Sequence, residues 1–286
     1  MSRHAAVLLA PLLALTVLGA TASVAPPAAG PAPHPVANNT PREYRTSQPQ
    51  TTAAPPETVA STQDSALPGP PDPVVGALFS TGADGLGKHF CTASVVAAPT
   101  GDIVLTAAHC LHRGGGGSYH TGVVFLPGYH DGQAPYGVWT AGALVVDPRW
   151  IRDGDPDLDF GFLVVQRNSA GETLQQVTGG DVLGDAAGYD VPVRVTGYPD
   201  DTEDPVACDT GTRRAATFQL RFACAGFPAG TSGSPLVTGV DPATGTGTVV
   251  GVIGGYQDGG DSADVSYSSY FDTGIQHLFA TALANG

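Results

Sequence analysis

Basic residues are scarce: Lys and Arg total 12 against 26 Asp and Glu, a formal charge of −14 at pH 7 over 286 residues. Nucleic acid and anionic membranes are held by clustered cations, so this shortage argues against both as partners and describes a soluble surface kept apart by like charge. Cysteine is rare as well, four in all, and no two are spaced as Cys-x-x-Cys, which removes the usual signature of a redox role. His89 and His112 lie two positions from Cys91 and Cys110, but those thiols are better used in a bridge. With His120 and His130 they do not supply the four convergent ligands of a structural zinc site, and all four are read as surface or loop residues. No metal and no cofactor is expected. Long apolar runs are missing except for Ala5 to about Leu18, which falls short of the ~20 residues a membrane-spanning helix needs.

That run has another meaning. Arg3 and His4 precede it, and Ala20-Thr21-Ala22 and Ser23-Val24-Ala25 follow as small-x-small cleavage sites. Residues 1–25 therefore read as a secretory signal, leaving an extracellular protein without a membrane attachment once it is cleaved. In an oxidising compartment an even number of cysteines pairs. Residues 26–73 are rich in Pro, Ala, Thr, Ser and Gln and have almost no periodic apolar pattern. Such a stretch buries too little surface to offset the entropy of ordering, and it reads as a disordered pro-segment or linker.

What is plentiful is glycine, 39 residues, and proline, 25, in a chain that is still 42% hydrophobic. The folded part, residues 74–286, breaks into short β-like runs between Gly, Pro and Asp clusters. One set lies within about 74–170 and another within about 186–286, which predicts an all-β architecture of two small barrels or a sandwich pair. The last stretch differs: Ile275, Leu278, Phe279 and Leu283 recur at helical spacing after the capping candidates Asp272 and Thr273. A C-terminal helix packed on the second half is expected.

Three local patterns carry chemistry. The run Gly230-Thr231-Ser232-Gly233-Ser234-Pro235 is by itself a common kind of surface turn. Its first glycine also lets the chain bend so that the Gly230 and Ser232 amides converge on a developing oxyanion. Leu105-Thr106-Ala107-Ala108-His109-Cys110 ends a β-like run and presents His109 with small neighbours, while Cys91, nineteen positions before Cys110, is the partner that would pin this turn. Cys208 and Cys224 flank a second β-like run and form the other expected bridge. Four acids, Asp153, Asp155, Asp157 and Asp159, crowd one segment. Asp159 directly precedes an apolar strand and suits burial against an imidazole; the others read as an acidic loop, with weak cation binding left open.

Thr-Ala-Ala-His-Cys together with Gly-Thr-Ser-Gly-Ser-Pro resembles the trypsin and chymotrypsin superfamily, and the Gly-x-Ser-Gly-Ser form is closest to its bacterial V8-like branch. The resemblance covers about Val74 to the C-terminus. It implies two six-stranded antiparallel β-barrels, a monomer acting on polypeptides, and the chain order His109, Asp159, Ser232 for base, orienting acid and nucleophile. Asp159-Phe160-Gly161-Phe162-Leu163 resembles the stretch in which the family's acid opens a strand. Substrate binding would fall to Gly226, Phe227, Ala229, Ile253, Gly254, Gly255 and Tyr256. Gly226 stands where trypsin has its specificity aspartate and Ile253 where glutamate-specific relatives have histidine, so an apolar or medium-sized side chain is the implied preference. Thr231 replaces the aspartate that trypsin-like zymogens pair with a new N-terminus, so that switch is not available. The alternative function is a protease-like binding module without catalysis. An α/β-hydrolase esterase fits poorly, because the serine loop lacks Gly-x-Ser-x-Gly and the histidine precedes the serine.

Overall fold

Asp64 is the first residue that the computed structural model describes, and residues 64–286 are described throughout. The signal read at 1–25 and the linker as far as residue 63 lie outside the described residues. The chain begins with two short pieces, β1 (Asp64–Ser65) and β2 (Leu67–Pro68). Residues 64–73, read from composition as linker, are thus paired: Ala66 N donates to the Ala225 carbonyl at 2.7 Å and Gly69 N to that of Pro205 at 3.0 Å. The bonds are made by backbone, which composition does not report.

β3 (Val75–Gly82), β4 (Gly85–Val96), β5 (Ile103–Thr106), β6 (Val123–Pro127), β7 (Trp139–Val146) and β8 (Gly161–Val165) close into one antiparallel barrel in the order β3-β4-β5-β8-β7-β6. Closure leaves no unpaired edge. β5, β6 and β8 are buried at every position, because their outer faces are covered too and the sequence needs no polar alternation there. The short helix α1 (Pro148–Asp153) is capped by Asp147, and α2 (Leu174–Thr178) by a Thr173–Gln176 capping box.

The second half comprises β9 (Val182–Leu183), β10 (Pro192–Gly197), β11 (Val206–Gly211), β12 (Arg213–Ala216), β13 (Gln219–Ala225), β14 (Pro235–Thr238), β15 (Thr248–Val252) and β16 (Val265–Ser269). Its strands form a six-stranded sheet, β2-β11-β10-β14-β15-β9, and a second sheet in which β1, β12 and β16 all pair with β13. Val193, Val195, Phe222, Leu236, Val250 and Ile253 fill the space between the sheets. Each such side chain contributes roughly 1.5–3 kcal/mol by burial. The Cys208–Cys224 disulfide ties β11 to β13.

The all-β fold with a C-terminal helix is the expected one, but the helix packs elsewhere. α3 (Thr273–Leu283) starts at Asp272, whose carboxylate accepts from Gly274 N at 2.7 Å. Its apolar face, Ile275, Leu278 and Ala282, joins the core of the first barrel, with Phe279 against Phe162 of β8 at 5.6 Å. Periodicity marks the apolar stripe of a helix but not which surface covers it.

Asp181 sits just before β9 and is 2% exposed. Its backbone bonds Val95 and Ala97, and its carboxylate accepts from Gly247 N at 2.8 Å. Burial, reinforced by the charge of Asp72 and only partly offset by the Gly247 bond, pushes its pKa up to about 7. The folded state therefore holds a proton between about pH 4 and 7 that the unfolded state releases, and stability falls as pH rises through that window. Asp181→Asn is expected to flatten this slope and to raise the unfolding midpoint at pH 8, removing a cost on the order of a few kcal/mol. Thermal melts of both proteins at pH 4.5 and 8 check it.

Candidate active site

β5 and β8 are neighbours with Thr106 opposite Gly161, so the chain leaves β5 where it enters β8. His109 follows Thr106 by three residues on the 3-10 turn Ala108–Cys110, and Asp159 precedes Gly161 by two. The register alone brings the two side chains together. The Cys91–Cys110 disulfide fastens this turn to β4. Asp159 follows a second 3-10 turn, Pro156–Leu158, whose Asp155 side chain accepts from Asp157 N at 3.1 Å.

Asp159 is wholly buried and is met by three N–H donors. Its Oδ1 accepts from His109 N at 2.9 Å, and its Oδ2 from His109 Nδ1 and from Gly255 N, each at 2.8 Å. An ionised carboxylate only accepts, so Nδ1 carries a proton and Nε2 is left as the basic nitrogen of the neutral ring. Burial works against the imidazolium, but Asp159's charge and hydrogen bond, with a further contribution from Asp258, hold the His109 pKa above its ordinary value. Asp159's own N–H reaches Ser269 Oγ at 3.1 Å, and that hydroxyl donates to the Pro156 carbonyl at 2.9 Å.

Ser232 stands on the loop between β13 and β14. Gly230 has φ 91°, and a Cβ there would lie 2.4 Å from Asp200 N and 2.6 Å from the Tyr198 carbonyl oxygen, so only glycine fits. The Ala229 carbonyl accepts from Asp200 N at 2.9 Å. Across a trans peptide the next N–H, that of Gly230, points the opposite way. Among the described residues neither the Gly230 nor the Ser232 amide has an acceptor. Thr92 of β4 bolts the loop to the first barrel: its hydroxyl donates to the Gly230 carbonyl at 3.1 Å and accepts from Tyr198 N at 2.9 Å, and its N–H reaches the Ser232 carbonyl at 2.7 Å. Thr231 closes the loop on itself, donating to the Pro228 carbonyl at 2.6 Å.

The Ser232 hydroxyl donates to the Asp258 carbonyl at 3.4 Å rather than to His109. Asp258 and Gln257 adopt left-handed φ of 51° and 57°, an uncommon state for residues with a Cβ. Nitrogen and carboxylate oxygens of His109, Asp159 and Asp258 lie within 4.8 Å of one another. Within that group both oxygens of Asp159 are already taken by three N–H donors. The acidic loop is equally committed: Asp153 pairs with Arg152 at 2.6 Å, Asp155 caps its turn, and Asp157 accepts from Gln219 at 2.9 Å.

The residues read as substrate-binding fall into two groups. Gly254, Gly255 and Tyr256 run beside Asp159, with Gly254 N bonded to the Tyr267 carbonyl at 3.0 Å and Tyr256 near the Tyr267 ring. Gly226 lies against Ala66, Ala229 is exposed, and Phe227 and Ile253 are buried in the core between the two sheets. His120 and His130 lie in loops as expected; His89 and His112 do not reach the surface, being 5% and 2% exposed. His112 Nδ1 accepts from Gly114 N at 3.0 Å and His89 Nε2 lies 2.9 Å from the Thr202 carbonyl, so both serve packing. Thr92, Gln219, Ser269 and Asp258 belong to the site's surroundings without any motif that marks them. A surface cleft of about 580 Å³ lined by Pro192, Arg194, Asp209, Val237 and Pro242 opens on the six-stranded sheet and includes none of these residues.

The trypsin family matches residues 65–272. Among solved structures the chain is similar to the protease Anisep from Arthrobacter nicotinovorans, at 29% identity over 76% of this chain and 98% of that one, TM-score 0.65. It is also similar to the thermostable serine protease AL20 from an extremophilic microorganism, at 26% identity over 75% and 99%, TM-score 0.65. A Glu endopeptidase shares the fold at 17% identity over 79% and 100%, TM-score 0.59. No curated protein sequence matches. A match spanning one barrel, the linking segment and both sheets of the second half leaves one conclusion: the chain belongs to the trypsin family of serine proteases.

Proposed function

We propose that this chain is a secreted serine endopeptidase that works through an acyl-enzyme. Ser232 Oγ attacks the scissile carbonyl and His109 Nε2 takes its proton, later returning it to the leaving amine. Asp159 keeps Nδ1 protonated and steadies the imidazolium, while the Gly230 and Ser232 amides receive the oxyanion. The observation that carries this reading is the His109–Asp159 pair at 2.8 Å together with a serine loop whose two amides have no acceptor among the described residues. A resting Ser232 bonded elsewhere agrees with free enzymes, where catalytic hydrogen bonds tighten only with substrate. The self-closed Thr231 supports assembly of the site in the V8-like manner, without a charged N-terminus. Gly226, which brings no charged side chain to its position, supports preference for an apolar or medium side chain on the acyl side, whereas Phe227 and Ile253 are taken up by the core between the two sheets. Two disulfides and the signal read at residues 1–25 support an extracellular location; among the described residues no helix is long and apolar enough to cross a membrane.

A fluorophosphonate probe tests the reading. Incubation is expected to abolish peptide cleavage with one equivalent incorporated, and peptide mapping to place the phosphonate on Ser232. Incorporation at another serine, or none in a folded protein that cleaves peptides, overturns it.

A further inference from the structure

Gln219 opens β13 and is completely buried. A buried amide is costly unless its donors and acceptor are used, and here both ends are. Nε2 donates to the Pro156 carbonyl and to Asp157 Oδ1, each at 2.9 Å, while Oε1 accepts from Tyr256 N at 3.1 Å. These partners are not scattered. Pro156–Leu158 is the turn that delivers Asp159, and Tyr256 follows Gly255, whose N–H donates to Asp159 Oδ2. One side chain thus spans the segment that carries the carboxylate and the segment that donates to it. Gly255 must be glycine for this contact, since a Cβ would stand 2.3 Å from Gln219 Oε1. Ser269, the cross-strand partner of Gln219 on β16, grips the same Pro156 carbonyl from the neighbouring strand.

We infer that Gln219 is a positioning residue for the acid–base pair, acting through Asp159 and Gly255 and touching neither substrate nor the reacting atoms. The inference rests on the serine-protease reading above. Two hydrogen bonds hold Asp159 to His109, and both weaken if the Pro156–Leu158 turn or the Gly255 amide drifts. Misplacement of about 1 Å at a distance from the chemistry costs about 100-fold in rate. The titratable groups around His109 are Asp159, Asp258 and, on the following loop, His120. A loosened Asp159 supports the imidazolium less and lowers the pH at which His109 becomes a free base.

The experiment compares the wild-type chain with Gln219→Met, which keeps the volume but removes every hydrogen bond. Enzyme is counted by fluorophosphonate titration of Ser232, so misfolded material does not enter the rate. The Met variant is expected to lose about 10- to 100-fold in kcat with KM within about threefold, a change in transition-state positioning and not in uniform binding. The acid limb of its kcat/KM profile should move to lower pH, and the low-field proton resonance of His109 Nδ1–H should shift or broaden. If the Met variant does not fold, Gln219→Asn, which keeps an amide one methylene short, must show the same directions on a smaller scale. A titratable variant with wild-type kcat and an unmoved acid limb overturns the positioning role, whatever its melting temperature. A wild-type protein that cleaves peptides but is not labelled at Ser232 overturns the underlying reading instead, so the two failures are distinct.

Discussion

Ser232→Ala is expected to leave a folded protein whose kcat for peptide cleavage falls by about 10⁵- to 10⁶-fold. The size follows from the role: without Oγ there is no acyl-enzyme, and what remains is binding plus the Gly230 and Ser232 amides acting on water. The fold has little stake in the hydroxyl. Among the described residues its one hydrogen bond is the 3.4 Å contact with the Asp258 carbonyl, long for O–H···O, whereas Thr92, Thr231 and Ser234 hold the loop in shape. The melting temperature should therefore stay within about 2 °C of wild type. Initial rates on a fluorogenic peptide, with enzyme concentration set by absorbance and folding checked by melting, measure both quantities. Equal rates in the two proteins would mean that another residue is the nucleophile.

The loss should be accompanied by a change in how the loop rests. In the wild type the hydroxyl bonds a carbonyl held in a left-handed backbone, Asp258 at φ 51°. Alanine releases that carbonyl without disturbing the Thr231–Pro228 closure at 2.6 Å, because Thr231 is 1% exposed and anchored on its own account. The serine loop thus keeps its shape through residues that do no chemistry.

How much of this was legible in the sequence depended on the range of each contact. His109 and Ser232 sit in short, self-contained motifs whose neighbours in the chain are also their neighbours in space, and the Cys91–Cys110 disulfide joins β4 to the turn that follows the adjacent strand β5. Asp159 stood out among four acids because an acid directly before an apolar strand is carried inward. Gln219 did not, since its partners Asp157 and Tyr256 lie 62 and 37 residues away; a glutamine within an apolar run has no local pattern that announces a bridge. The same holds for Thr92, 138 residues from the carbonyl it binds. Asp64–Pro68 looked like linker because backbone pairing on β13 and β11 asks nothing of composition. The helix α3 was visible from its period and cap, and its seat on the first barrel was not, because an apolar stripe fits either half equally well.

Asp159→Asn tests the acid in a way that separates geometry from charge. Oxygens of the carboxylate meet three donors, His109 N, His109 Nδ1 and Gly255 N. An asparagine offers one oxygen and one NH₂, so in either orientation a donor faces a donor in a fully buried site. If the NH₂ faces His109 Nδ1, the imidazole must change tautomer: Nδ1 becomes the acceptor and Nε2 carries the proton, unable to take another from Ser232. If it faces His109 N, the backbone of the Ala108–Cys110 turn is left unpaired at a cost of about 1–3 kcal/mol. The first arrangement loses activity and the second loses stability. kcat is expected to fall about 10⁴-fold, with a lower melting temperature, while fluorophosphonate labelling of Ser232 slows without changing site. In the wild type Asp159 holds the His109 pKa above its ordinary value, so activity is lost as pH falls through a point above 6.5. With the carboxylate gone, burial is opposed only by Asp258, and the acid limb of the residual kcat/KM must move to lower pH. A limb that stays in place would mean that Asp159 orients His109 without setting its charge.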